Sequence, residues 1–214
     1  MIIDCHAHAY QGEVARKLIP KIGEIYGVKP ETQGTVTDLL NAMGDCGIDK
    51  AIVLAVANKP EFTRPQNDFY IEVQDSNPEL ICFGSVHPDM ENVEDEIYRI
   101  RDSGLRGVKL QPNAQRFYPD SEKAFRIYET LSELKMALVF HAGDEVKPFK
   151  PLYAHPKHLR AVLESFTGIQ ILLAHLGGYR TWDSISEVLD FRNAWYDTAF
   201  IPGNIPDEEF KRIV

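Results

Sequence analysis

Residues 137–143 read Ala-Leu-Val-Phe-His-Ala-Gly: an unbroken apolar run, Ala137 to Phe140, closed by His141 and followed at once by Ala142-Gly143. The arrangement returns at Ile171-Leu172-Leu173-Ala174, then His175, then Leu176-Gly177-Gly178. Apolar residues on consecutive positions suit a strand covered on both faces, the habit of parallel sheets. Working outward, runs of the same kind occur at Met1–Cys5, Ala51–Val56, Ile81–Val86, Gly107–Leu110 and Ala194–Thr198. With Ala137–Phe140 and Ile169–Ala174 they make seven predicted strands.

The segments between them carry helix signals. Thr35 followed by Asp38 has the form of an N-cap with an acidic third position, ahead of Leu39, Leu40 and Met43. Asp120 is placed to cap a helix whose Ala124, Ile127, Tyr128 and Leu131 share one face. Pro156 suits the first turn of a helix bearing Leu159, Val162 and Leu163. Gly47, Gly104 and Gly168 each follow such a helix and precede a strand, where a left-handed residue is wanted. Strand, helix, glycine, strand repeats after a longer first unit, which implies right-handed crossovers between parallel strands. No GxGxxG or GxxxxGK[ST] follows the first strand, so the closed (β/α)8 barrel is favoured over a nucleotide-binding open sheet.

Residues 1–214 are expected to form a single α/β barrel domain. A closed TIM barrel has eight strands in ~250 residues. Only seven are visible here. The segment Ile205–Val214 begins Pro206-Asp207-Glu208 and places Phe210, Ile213 and Val214 on one helical face. It reads as a seventh helix cut short, with the eighth strand lost; a seven-stranded sheet is the alternative.

The 214 residues include 23 basic and 32 acidic ones, a formal charge of −9. That balance lacks the basic footprint nucleic acid or an anionic membrane needs. The three cysteines, Cys5, Cys46 and Cys82, form no CxxC pair and suit a reducing compartment. Neither a signal peptide nor a membrane-spanning run is evident. A cytoplasmic protein is expected. Its partner is a small-molecule substrate rather than nucleic acid or membrane, and the surface leaves room for a homo-oligomer.

His6 and His8 follow the apolar residues of the first strand, and positions i and i+2 of an extended chain face one side. Both imidazoles therefore reach one cation, with zinc, iron or nickel suited to that donor. A lone histidine at a strand end is more often structural, but His141 and His175 stand at equivalent places. Active sites of barrels assemble at such C-terminal ends.

Together His6-Ala-His8, Gly107-Val108-Lys109-Leu110, His141 and Ala174-His175-Leu176-Gly177-Gly178 resemble the amidohydrolase superfamily. The similarity is closest to its amidohydrolase-related branch of metal-dependent TIM-barrel hydrolases and decarboxylases, and it runs the length of the chain in order. It implies that His6, His8 and His141 bind a divalent metal, zinc by ligand type. It implies that His175 orients the nucleophilic water or binds a second metal. The strand-eight aspartate that serves the family as ligand and general base has no counterpart, and Asp197, on strand seven, occupies a position of mainly structural use there. Lys109 corresponds to a lysine that bridges two metals in some members after carboxylation. Otherwise it pairs with an acid or seats a substrate carboxylate, and one metal with an uncarboxylated Lys109 is the favoured arrangement. Tyr10, Gln111, Tyr179 and Arg180 lie just past these positions and are candidate substrate contacts. The reaction expected is metal-assisted hydrolysis of a C–N or C–O bond in a small polar substrate. Decarboxylation of an aromatic or unsaturated acid, and binding without turnover, are the rivals.

Overall fold

Each apolar run pairs with the next one along the chain. The computed structural model describes residues 1–214 and holds one parallel sheet in the order β1-β2-β3-β4-β5-β6-β7. The strands are β1 (Ile3–Ala7), β2 (Lys50–Leu54), β3 (Leu80–Ser85), β4 (Gly107–Leu110), β5 (Ala137–Phe140), β6 (Ile171–Leu173) and β7 (Ala194–Tyr196). The helices are α1 (Gly12–Tyr26), α2 (Val36–Cys46), α3 (Thr63–Ser76), α4 (Val93–Asp102), α5 (Pro112–Gln115), α6 (Glu122–Leu134), α7 (Pro156–Ser165) and α8 (Asp207–Ile213). None is long and apolar enough to cross a membrane.

Register sorts the side chains into two layers. Ser85, Lys109, Val139, Leu172 and Trp195 are successive partners across β3 to β7 and therefore share one face. On that concave face Leu54, Phe83 and Val139 are buried together, with Ile52, Ile81, Ala137 and Leu172 against them. Gly107 belongs to this layer because the Phe83 ring fills its side-chain space: a Cβ there would lie 2.3 Å from Phe83 Cε2. A separate cluster of 37 buried residues joins the other face of the sheet to the helices. It includes Ile97 and Ile100 of α4, Ile127 and Leu131 of α6 and Leu159 and Val162 of α7.

The sheet curls into most of a barrel but does not close by a ladder. No strand pairing joins β7 to β1, and on these edges Ile3 and Trp195 are 44% and 59% exposed. The architecture is the seven-stranded, incomplete barrel expected.

Details differ from expectation in places. β1 begins later than predicted and runs through His6, because Asp4 pairs with Ala51 whereas Ala7 pairs with Val53: one extra residue is inserted on β1. Such a bulge re-aims side chains beside active sites, and the Asp4 carboxylate accepts the His6 backbone N–H at 3.0 Å. The capping box at Thr35 and Asp38 forms as predicted. Asp120, by contrast, caps nothing: α6 starts after Ser121, and Asp120 Oδ2 accepts from His158 Nδ1 at 2.8 Å. Gly47 and Gly104 adopt left-handed backbone, but Gly168 does not, since α7 ends at Phe166 with a 3.3 Å bond from the Ile169 N–H to the Phe166 carbonyl. The long first unit also contains α1, which the sequence reading did not identify.

Candidate active site

The C-terminal strand ends surround a cavity of about 880 Å³ lined by 24 residues, 13 of them hydrophobic. Its floor is made of His6 and His8 from β1 and the turn after it, Lys109 from β4 and Gln111 just after it, His141 after β5 and His175 after β6. Tyr10 and Tyr179 line the wall.

The hydrogen bonds determine which nitrogen of each ring carries the proton. His6 Nδ1 donates to Asp197 Oδ2 at 2.7 Å, and His8 Nδ1 donates to the Leu54 carbonyl at 2.8 Å. His175 Nδ1 donates to the Ala199 carbonyl at 2.8 Å, and His141 Nε2 donates to the Asp144 carbonyl at 3.2 Å. A neutral imidazole has one N–H and one lone pair. Each ring therefore spends its proton on an outer acceptor and turns a lone pair inward. The inward atoms meet in pairs: His6 Nε2 and His8 Nε2 are 3.2 Å apart, as are His175 Nε2 and His141 Nδ1. Two facing lone pairs repel unless a cation lies between them. Ligands ~2.0–2.1 Å from a tetrahedral zinc are about 3.3 Å apart, so this spacing is that of a ligand edge. The donor set fits a divalent ion.

Electrostatics agree. Burial pushes His141 and His175 down to about 3, with Lys109 adding to the shift in both. His8, although open to the cavity, is surrounded by protein and shifts down as well. His6 is lowered by burial despite its bond to Asp197. The rings stay neutral, the form that binds metal. Burial would raise the Asp197 carboxyl, but its bonds and charge interactions with His6 and His175 together outweigh it and the group stays low and anionic. Its other oxygen accepts from the backbone N–H of His175 at 2.8 Å and of Ala199 at 3.1 Å. His6, His175 and Asp197 form the one trio whose ligand atoms all lie within 4.8 Å of one another. The set His6, His8 and His141 is looser than the resemblance implied.

Lys109 is 2% exposed and its Nζ has no hydrogen-bond partner. Burial lowers it to about 8, opposed by Asp197 and Glu145. Glu145, on the loop after β5, accepts from Gln111 Nε2 at 2.7 Å and lies 3.2 Å from His141 Nε2. Sequence reading missed it, since a loop glutamate four residues past His141 carries no periodic signal. Arg180 is not part of the lining: its guanidinium is exposed and donates to the Val146 carbonyl at 2.8 Å, tying two mouth loops together.

The loops are held close at some cost. Gly143, with φ +90°, lies so near the β6 loop that a Cβ would stand 2.2 Å from Tyr179 N. His175, Leu176, Arg180 and Phe200 are four of the eight non-glycine residues with positive φ. Strained backbone concentrated around a cavity is the pattern of functional sites.

The Amidohydrolase family model matches residues 3–211 of the chain. Among solved structures, an uncharacterized TIM-barrel protein from Bordetella bronchiseptica superposes with a TM-score of 0.77 at 15% identity, covering 98% of this chain and 79% of that one. A probable 2-pyrone-4,6-dicarboxylic acid hydrolase from Acinetobacter baumannii gives 0.62 at 15% identity, covering 92% and 69%. The 5-carboxyvanillate decarboxylase of Novosphingobium aromaticivorans, crystallised with manganese and a nitrobenzoic acid, gives 0.64 at 19%, covering 83% and 65%. No curated protein sequence matches.

Proposed function

The chain belongs to the amidohydrolase family, and from that premise we propose that it is a metal-dependent hydrolase acting on a C–N or C–O bond of a small polar substrate. The four inward-facing imidazole lone pairs carry this reading. His6, His8 and His141 are the proposed holders of one divalent ion, zinc by donor type. When bound, such an ion polarises a carbonyl and lowers the pKa of water.

The chain's own groups do the rest. Asp197 fixes the tautomer and tilt of His6, the carboxylate–histidine pairing that steadies metal ligands. His175, its Nδ1–H held by the Ala199 carbonyl, has its Nε2 lone pair left either to orient the attacking water or, shared with His141, to hold a second ion. Lys109 presents an unpartnered ammonium to an anionic group of the substrate. Tyr10, Gln111 and Tyr179 border the same space and contact the substrate's polar edge.

The Lys109 ammonium also favours a second reading, decarboxylation, since a carboxylate seated there would be the group lost. The decarboxylase from Novosphingobium shares the fold and was solved with manganese, which supports this rival and makes manganese the alternative to zinc. Assays of ester, lactone and amide cleavage beside carbon dioxide release from aromatic acids separate the two. Hydrolysis without carbon dioxide supports the first reading; carbon dioxide release alone replaces it. Alanine at His141 is expected to lower bound zinc, and alanine at His175 to lower turnover with zinc retained. Equal zinc loss from both would point to two ions.

A further inference from the structure

α1 stands outside the strand–helix alternation, inserted between β1 and α2, and its inner side faces the cavity rather than the core. Val14, Leu18 and Ile22 recur at every fourth residue along that side, and Lys17 and Lys21, one turn apart, line the same wall. Spacing of four places such residues in one row on a helix. Lys17 and Lys21 are exposed and make no ion pair: Glu13 lies 3.8 Å from Arg16, and Glu24, three residues past Lys21, pairs with neither.

The charge balance of the cavity is one-sided. Its lining holds three lysines, Lys17, Lys21 and Lys109, against a single acid, Glu145, which is already bonded to Gln111 on the histidine side. Lys109 is buried without a partner, a costly state that an anionic ligand relieves. From the histidines to α1 runs a line of rings. His175 meets Tyr179 at 6.1 Å, Tyr179 meets Phe200 at 5.5 Å, and Phe200 meets Tyr26 of α1 edge-on at 5.2 Å. Such a wall packs against a flat apolar body.

We infer that α1 is the substrate-selecting element of this site, with Lys17 and Lys21 forming a second anion subsite remote from the histidines. The ligand class is then an aromatic or unsaturated body with an anionic group at each end, one near Lys109 and one under α1. The inference rests on the reading of the cavity as the active site. A ligand filling the cavity displaces water from around the α1 lysines and strengthens their pull on its far charge.

Matched acids test this on the full chain, with and without added zinc. Calorimetric titration compares terephthalate with benzoate, and a naphthalene dicarboxylate with naphthoate. The second carboxylate should improve affinity by about tenfold at low salt in at least one pair, the size expected of two partly screened contacts. The double variant K17Q/K21Q should lose that gain while keeping its monoacid affinity, zinc content and circular dichroism. No gain in the wild type, or a gain that survives in K17Q/K21Q, overturns the inference. A gain lost in the variant without turnover of any ester, amide or aromatic acid keeps the subsite and removes the catalytic reading. Turnover without the gain does the reverse.

Discussion

Two nitrogens decide what His6 can do. Nδ1 is committed to Asp197, and Nε2 is left facing His8. Asparagine at position 197 keeps the size but turns one of two accepting oxygens into a donor. Either the His6 ring or the His175 and Ala199 backbone then loses its acceptor. D197N should weaken zinc binding by about 10–100-fold, the usual effect of losing a partner of a ligand histidine, measured by competition with a chromophoric chelator. Unchanged zinc affinity would show that Asp197 only braces the loop. His6, His8, His141 and His175 were readable in the sequence because they stand at or just past the end of an apolar run, and Lys109 through the family resemblance. Asp197 was visible there but undervalued: its worth depends on β7 curling round to β1, a contact across 191 residues that no local pattern announces.

At the scale of elements, what was legible followed from burial on the core side. The strands and α6 and α7 show their apolar faces because those faces pack on the sheet. α1 went unread because Pro20, a helix breaker, stands inside it and charged residues flank its apolar row Val14, Leu18 and Ile22. The β1 bulge was equally hidden, since nothing in Asp4-Cys5-His6 marks an extra residue. Two elements support firm predictions. Glu96 of α4, its side chain fully buried, accepts from Asn67 and from both Arg64 and Arg99, joining α3 to α4. Burial alone would raise its carboxyl, but Arg99, Asn67 and Arg64 together outweigh this and hold it below its ordinary value of 4.5. Its stabilisation is thus present above about pH 4.5 and is lost as pH falls through the depressed folded value. E96Q should lower unfolding free energy at neutral pH by ~1–3 kcal/mol and flatten the acid limb of stability against pH, read by urea melts. At Gly143, alanine should cost about 1–3 kcal/mol from the positive φ alone and more from the clash with Tyr179, lowering both Tm and zinc affinity.

Taken whole, the molecule is an acidic chain whose cavity lining is cationic: a formal charge of −9 overall, but three lysines to one acid around the pocket. The barrel architecture was legible from seven runs and their punctuation, because a parallel sheet needs crossovers and those leave a regular spacing. The shape of the pocket was not, because it is made by α1 and the mouth loops, whose contacts are made in three dimensions and vary freely on one scaffold. Central to the site is the inward turn of four imidazole lone pairs, which meet two by two at 3.2 Å and fit a cation. Calorimetric titration of chelator-treated protein with zinc tests it most directly. It should show about one tight equivalent per chain, abolished or strongly weakened in H6A and H141A. Protein that takes up no zinc, or that binds it equally well without His6 and His141, would contradict the account.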